Sequence, residues 1–148
     1  MKCRLMPPKY FLIFLILSIA LHFLFPVMKG IHPPITYLGW LFIVFGVILN
    51  VWSDSLFKKH KTTVKPHESP TNMVVTGPFR ISRHPMYLGM ALVLIGVAVL
   101  HGTLITFLFP LLFIAITEAE FIPQEELNLE KAFGKRYIEY KSKVRRWI

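Results

Sequence analysis

Residues 86–122 read MYLGMALVLIGVAVLHGTLITFLFPLLFIAITEAEFI and are apolar over most of their length. At about 1.5 Å of rise per residue, one helix of this length would far exceed the roughly 30 Å hydrocarbon core of a bilayer. His101 and Gly102 interrupt the run near its middle. The pattern therefore predicts a hairpin of two membrane-spanning helices, at about 86–100 and 103–122.

Two further apolar segments precede this block, at residues 10–28 and 35–57. The first, YFLIFLILSIALHFLFPVM, would span about 28 Å as a helix, which is close to the thickness of a bilayer core. The second, ITYLGWLFIVFGVILNVWSDSLF, carries Trp40 and Trp52 near its two ends, where aromatic residues favour the membrane interface. Together with the hairpin, these segments predict about four transmembrane helices.

The composition also favours a membrane protein. The chain has 148 residues, of which 54% are hydrophobic, and its net charge is +9 although only 17% of the residues are charged. A nucleic-acid-binding domain would be basic without being this apolar, so we expect no nucleic-acid partner. The predicted fold class is an all-α integral membrane protein that forms a single domain over residues 1–148.

Residues 123–148, PQEELNLEKAFGKRYIEYKSKVRRWI, change from apolar to amphipathic. Their apolar side chains recur at approximately helical spacing, and Gly134 interrupts the stripe. The pattern predicts an amphipathic C-terminal helix that follows the hairpin.

Sixteen of the seventeen Lys and Arg residues fall on one side of a four-helix topology. They lie before the first helix, in the polar loop 58–84 and in the tail 123–148, whereas Lys29 is the one basic residue on the other side. The positive-inside rule makes the basic side cytoplasmic. We therefore expect a multi-pass protein whose termini, loop and active site all face the cytoplasm.

The stretch GPFRISRHPMYLG, residues 77–89, precedes the third predicted helix. Pro85 suits the first turn of that helix, so Arg83 and His84 would lie beside its N-terminus. The free backbone N–H groups and the dipole of a helix N-terminus suit an anion, and Gly89 leaves room for a ligand to approach the backbone. The alternative is that the basic residues only orient the helices in the membrane.

Four acidic residues follow where the hairpin returns to the same side, namely Glu118, Glu120, Glu125 and Glu126. Carboxylates this close to a bilayer require a partner or a water-filled cavity. Either they form internal salt bridges, or they provide the acidic half of a cavity whose basic half is the Arg-His pair. The second arrangement would suit a zwitterionic ligand that carries a carboxylate and an ammonium group.

These residues, in this order, resemble the isoprenylcysteine carboxyl methyltransferase and phospholipid N-methyltransferase superfamily, particularly its small prokaryotic members. The shared pattern is Arg-His-Pro-x-Tyr-x-Gly, a membrane hairpin, Glu-Glu and Phe-Gly-x-x-Tyr-x-x-Tyr, and the resemblance covers about residues 60–148. Its positions here are Arg83, His84, Pro85, Tyr87, Gly89, Glu125, Glu126, Phe133, Gly134, Tyr137 and Tyr140. The resemblance implies S-adenosyl-L-methionine as methyl donor and a lipidic or prenylated acceptor that enters from the bilayer.

The resemblance also implies a set of site residues. The cofactor-binding residues would be His84, Pro85, Tyr87, Gly89, Glu125, Glu126, Tyr137 and Tyr140, with Arg83 and Glu126 as the candidate catalytic residues. The Arg-His pair and the helix start would hold the cofactor carboxylate by charge-assisted hydrogen bonds. Glu125 and Glu126 would take the ribose hydroxyls or the ammonium group; alternatively, Glu126 pairs with Arg83 and orients it.

The aromatic and terminal basic residues have expected roles too. Tyr87 would line the pocket and Tyr137 or Tyr140 would pack on the adenine; otherwise they are interfacial or amphipathic-stripe residues. Arg145 and Arg146 are expected to contact membrane lipid headgroups.

Two other functions stay open at this stage. A non-enzymatic membrane module would bind no cofactor, and an NADPH-dependent membrane reductase would usually be longer and is not supported by a glycine-rich dinucleotide fingerprint. We expect no metal site, because the spacing of His60, His67 and His84 matches no metal-binding pattern. The acceptor atom (O, N or S) is not specified, and Glu120 stands where many small members carry an arginine. A homo-oligomer that forms through the first two helices is also left open.

Overall fold

The computed structural model describes residues 6–25, 29–62 and 71–148. Its helices are α1 (Pro7–Leu24), α2 (Leu38–Lys59), α3 (Pro85–His101), α4 (Leu108–Ile116), α5 (Ile122–Phe133) and α6 (Lys135–Lys143). Short 3₁₀ turns cover Ile35–Tyr37, Gly77–Arg80 and Leu104–Phe107, and a π turn covers Thr117–Phe121. The predicted all-α fold class is confirmed. Sequence predictions that involve Lys2, Arg4, residues 26–28, Lys65 or His67 fall outside the described residues.

Among the described residues, three helical stretches are long and apolar enough to cross a membrane, and they cover Pro7–Leu24, Ile35–Lys59 and Leu104–Phe133. The fourth apolar helix, α3, has 17 residues, which corresponds to about 26 Å. The chain is therefore an integral membrane protein. The last stretch is continuous from α4 through the π turn into α5, and Pro123 lies directly after the π turn.

Helices α2 and α3 pack with their backbones in direct contact, through two glycine pairs that are seven residues apart on each helix. A Cβ atom added to Gly46 would lie 2.5 Å from the carbonyl oxygen of Gly89, and one added to Gly96 would lie 2.6 Å from that of Gly39. In a bilayer, helices gain little from burying apolar surface against each other, so close van der Waals packing between small residues stabilises the pair.

The tight turn between α3 and the following helix confirms the break predicted at His101 and Gly102. Gly102 has a φ of +65° and ends α3 in the left-handed conformation that glycine adopts without strain. His22 of α1 stacks on the ring of His101 and shares a 3.2 Å hydrogen bond with the Thr103 hydroxyl. These contacts hold α1 against the hairpin at the end of the bundle opposite the acidic residues.

The core of the bundle lies between α1, α3 and the long continuous helix. Its buried residues include Tyr87, Leu94, Phe113, Phe121 and Ile122. This core fixes the start of α3 against α5. The end of the bundle where α2 ends and α3 begins is called the charged end below, because the basic loop, α5, α6 and the C-terminal segment meet there.

Candidate functional site

The Arg83–His84 pair lies immediately before α3, as predicted, with Pro85 as the first residue of the helix. The C-terminal segment, residues 144–148, holds this backbone in place. The backbone N–H of Arg83 donates to the carbonyl of Arg145 (3.0 Å), and that of His84 donates to the carbonyl of Arg146 (3.3 Å). Two backbone hydrogen bonds therefore connect the Arg83–His84 pair to the C-terminal segment.

Glu126 is the centre of a buried ion network, with only 3% of its surface exposed. Its carboxylate lies 2.9 Å from Arg83 Nη1 and accepts two 3.0 Å hydrogen bonds from Arg146. His84 Nε2 lies 3.6 Å away on the same side. Of the two arrangements predicted for Glu126, the structure shows the one in which it pairs with Arg83.

Arg146 links this network to the π turn. Its Nη1 donates to Glu118 Oε1 at 2.5 Å, and the indole N–H of Trp147 donates to Glu118 Oε2 at 2.8 Å. Within the protein, two carboxylates engage the Arg146 guanidinium, and contact of Arg145 and Arg146 with lipid headgroups stays a prediction. The signal for the Glu118 contact was present in the sequence, since a carboxylate as close to the bilayer as Glu118 needs a partner.

Glu125 approaches the other ring nitrogen of His84. It accepts a hydrogen bond from the Tyr87 hydroxyl, and its Oε2 lies 3.3 Å from His84 Nδ1. The rings of His84 and Tyr87 are parallel, with centroids 5.8 Å apart. His84 thus stands between two carboxylates. Burial alone would lower the pKa of His84, but Glu125 and Glu126 outweigh it, and the pKa is raised above its ordinary value.

A cavity of about 350 Å³ opens beside this network. Of the predicted site residues, those that border it are Arg83, His84, Pro85, Tyr87, Glu125, Tyr137 and Tyr140. Four methionines complete an apolar wall that sequence reasoning missed, namely Met6, Met73, Met86 and Met90. Their positions in the sequence do not reveal a shared surface, because they come from three separate segments of the chain.

Two predicted site residues do not border the cavity. Gly89 faces α2, where an added Cβ would lie 2.7 Å from the carbonyl oxygen of Gly46, so the backbone that approaches it closely is that of a neighbouring helix. Glu126 lies behind the wall that Arg83 and His84 form. Its position suits the orientation of these two side chains more than contact with a ligand.

The free energy of unfolding is expected to fall as the pH rises above about 6.5, the ordinary pKa of histidine. Because the pKa of His84 is raised in the folded state, the folded protein holds this proton more tightly than the unfolded chain. The stabilisation is therefore complete below the unfolded pKa and is lost as the pH rises through the folded pKa. The measurement is the thermal midpoint in detergent from about pH 6 to 9.

The matched control for this titration is the exposed His32 at the other end of the bundle. The decline should flatten in His84→Ala and persist in His32→Ala. An unchanged decline in His84→Ala would contradict the assignment of this proton to His84.

Comparison with known proteins identifies the family. A family model for phospholipid methyltransferases matches residues 35–136. A protein-S-isoprenylcysteine O-methyltransferase from Xenopus laevis is 30% identical over 135 residues, which cover 81% of this chain and 44% of the relative. A probable protein-S-isoprenylcysteine O-methyltransferase from Oryza sativa subsp. indica is 30% identical over 124 residues, with coverages of 82% and 64%. The chain thus spans less than two thirds of the length of these relatives. Because the family model covers more than half of this chain, the chain belongs to the phospholipid methyltransferase family, which confirms the resemblance seen in its sequence.

Proposed function

We propose that the protein transfers a methyl group from S-adenosyl-L-methionine to a lipophilic acceptor. The observation that carries the proposal is the cavity at the charged end, whose lining combines a basic pair and a carboxylate with several apolar side chains. The zwitterionic part of a cofactor would contact the charged groups, and an acceptor from the bilayer would contact the apolar ones. Family membership supports the same reaction class.

The residues that border the cavity fit this cofactor. A volume of about 350 Å³ falls within the range of roughly 300–1,000 Å³ that is typical of small-molecule sites. Arg83 Nε is buried, and no hydrogen-bond partner for it lies among the described residues. A buried donor of this kind costs stability unless a ligand completes its hydrogen bond.

We assign the residues as follows. Arg83 and His84 would hold the cofactor carboxylate, and Glu125 would accept from the ammonium group or a ribose hydroxyl. Tyr137 and Tyr140 offer flat surfaces for the adenine. The hydrogen bond from the Tyr140 hydroxyl to the carbonyl of Phe79, at 2.6 Å, fixes one of these rings against the cavity wall.

When bound, S-adenosyl-L-methionine would supply an electrophilic methyl group for in-line displacement by the acceptor. The protein would hold the two reactants in line, which lowers the entropic part of the activation barrier. It would also exclude water from the cavity. Glu126 acts as a positioning residue that orients Arg83. If the acceptor is an amine, a cavity carboxylate such as Glu125 would take its proton; if it is a carboxylate, no base is needed.

The wall of the cavity suggests the acceptor's chemistry. Methionine side chains adapt to irregular apolar groups, and several of them next to membrane-spanning helices favour a lipidic acceptor with an O, N or S nucleophile. By the positive-inside rule, this reaction would take place at the cytoplasmic face of the membrane.

The test is calorimetric binding of S-adenosylhomocysteine to the detergent-purified protein. We expect micromolar affinity that His84→Ala weakens at least about tenfold, equivalent to about 1.4 kcal/mol, while His32→Ala leaves it unchanged. An acceptor screen with S-adenosyl-L-methionine would follow. Absence of binding by folded wild type, in detergent and in lipid nanodiscs, would refute the proposed function.

A further inference from the structure

A second cavity lies beside the first on the charged end, with a volume of about 430 Å³. Its charged residues are Arg80, Arg136, Glu139 and Lys143, and these four define what we call the basic groove. The groove and the first cavity share Tyr140, and also Met73, as a common wall. The proposed methyl transfer uses none of the groove's charged residues.

Among the described residues, the groove carries three cations and one carboxylate. All four side chains are exposed, and within the part of the chain that the structure describes none of the three cations has a carboxylate at ion-pair distance. Positions 136, 139 and 143 follow one another at helical spacing, so α6 presents them on one face. Glu139 offsets only one of the three positive charges, so an anion in the groove would reduce the repulsion that remains among them.

The two walls of the groove are also fixed relative to each other. Arg80 ends the 3₁₀ turn Gly77–Arg80, whereas the other charged residues belong to α6. The Tyr140 hydroxyl of α6 donates to the carbonyl of Phe79, the neighbour of Arg80, at 2.6 Å. The cations therefore lie on two walls whose relative position is already fixed. Binding of a ligand would cost little backbone conformational entropy.

We propose that the basic groove binds a phosphate group. Two guanidinium groups provide the planar pairs of donors that match phosphate oxygens, and Lys143 adds a point charge. The groove lies where the membrane-spanning helices α2 and α3 end and begin, so the phosphate would belong to an anionic phospholipid headgroup or to a soluble phosphate ester at the membrane surface. The inference does not depend on the methyl-transfer reaction.

The competing explanation is that these cations only contribute to a general positive surface. In that case any three basic residues at the charged end would be equivalent. Lys58, Lys59 and Lys61 provide the control set, because they lie at or just after the end of α2, outside the groove, and carry the same total charge; Lys58 pairs with Asp54 at 2.6 Å.

The experiment measures the rise in thermal midpoint of the detergent-purified full chain with three probes: dioctanoyl phosphatidylglycerol, dioctanoyl phosphatidylcholine and glycerol 3-phosphate. The first variant replaces Arg80, Arg136 and Lys143 by Gln, and the control variant replaces Lys58, Lys59 and Lys61 by Gln. We expect the groove variant to bind the anionic probes at least about tenfold more weakly and the control variant to keep most of its affinity. Glu139→Gln should tighten binding, because it removes a carboxylate from the groove.

The probes distinguish the two sources of phosphate. Binding of phosphatidylglycerol alone would identify a lipid headgroup, and equal binding of glycerol 3-phosphate would identify a soluble ester. Equal losses in the two triple variants, no loss in the groove variant, or no anionic probe that binds to wild type would each overturn the proposal. The unliganded thermal midpoint of each variant reports whether it is folded.

Discussion

Glu126→Gln is expected to lower the free energy of unfolding by about 3 kcal/mol and to abolish binding of S-adenosylhomocysteine. The substitution keeps the shape of the side chain but removes the charge that Arg83, His84 and Arg146 surround. Arg83 has only 9% of its side chain exposed, so its charge would remain buried without a counter-ion. We place the loss at the lower end of the range for broken buried ion pairs, because Arg146 is 36% exposed and partly hydrated.

Thermal denaturation in detergent gives the stability, and calorimetry gives the ligand affinity. Glu130→Gln is the matched control, because Glu130 lies one turn further along α5, is 44% exposed and approaches Lys141 only at 3.9 Å. It should change stability by less than about 0.5 kcal/mol. Normal affinity in Glu126→Gln would show that Arg83 does not need this carboxylate to hold its orientation.

Gly89→Ala is expected to destabilise the helix pair by about 1–3 kcal/mol while leaving ligand affinity nearly unchanged in the folded fraction. The new Cβ would lie 2.7 Å from the carbonyl oxygen of Gly46 and would also meet the amide of Asn50. The Asn50 side chain can rotate away, but the Gly46 backbone cannot move without separating α2 from α3. The affinity should survive because Gly89 does not border the cavity.

Ala115→Leu is the control for added volume, because Ala115 is exposed on α4 and would face lipid. It should leave the thermal midpoint close to that of wild type. A normal midpoint in Gly89→Ala that is accompanied by a large loss of affinity would reverse the assignment and return Gly89 to the ligand site.

The bundle and its charged end were largely predictable because they follow from local rules. The apolar runs are as long as a bilayer is thick, and His101-Gly102 interrupts the longest of them where the structure turns. Pro85 marked the start of α3 in the same way. Chain connectivity in a hairpin then brings Arg83 and Glu126 to the same end without any knowledge of side-chain contacts.

Tertiary structure decided how each charged or small residue is used. Glu125 and Glu126 are adjacent in sequence and both approach His84, yet Glu125 borders the cavity and Glu126 is enclosed by cations.

The amino-acid sequence by itself thus determined the helices, their order and the meeting of basic and acidic groups at one end, because helix length, breaks and charge are properties of neighbouring residues. Only the tertiary structure decided that Arg146 pairs with Glu126, that Gly89 packs against the backbone of α2 and that a basic groove adjoins the cavity. Each of these depends on a contact between distant segments, and the spacing of residues along a chain does not encode the direction in which a side chain points across such a contact.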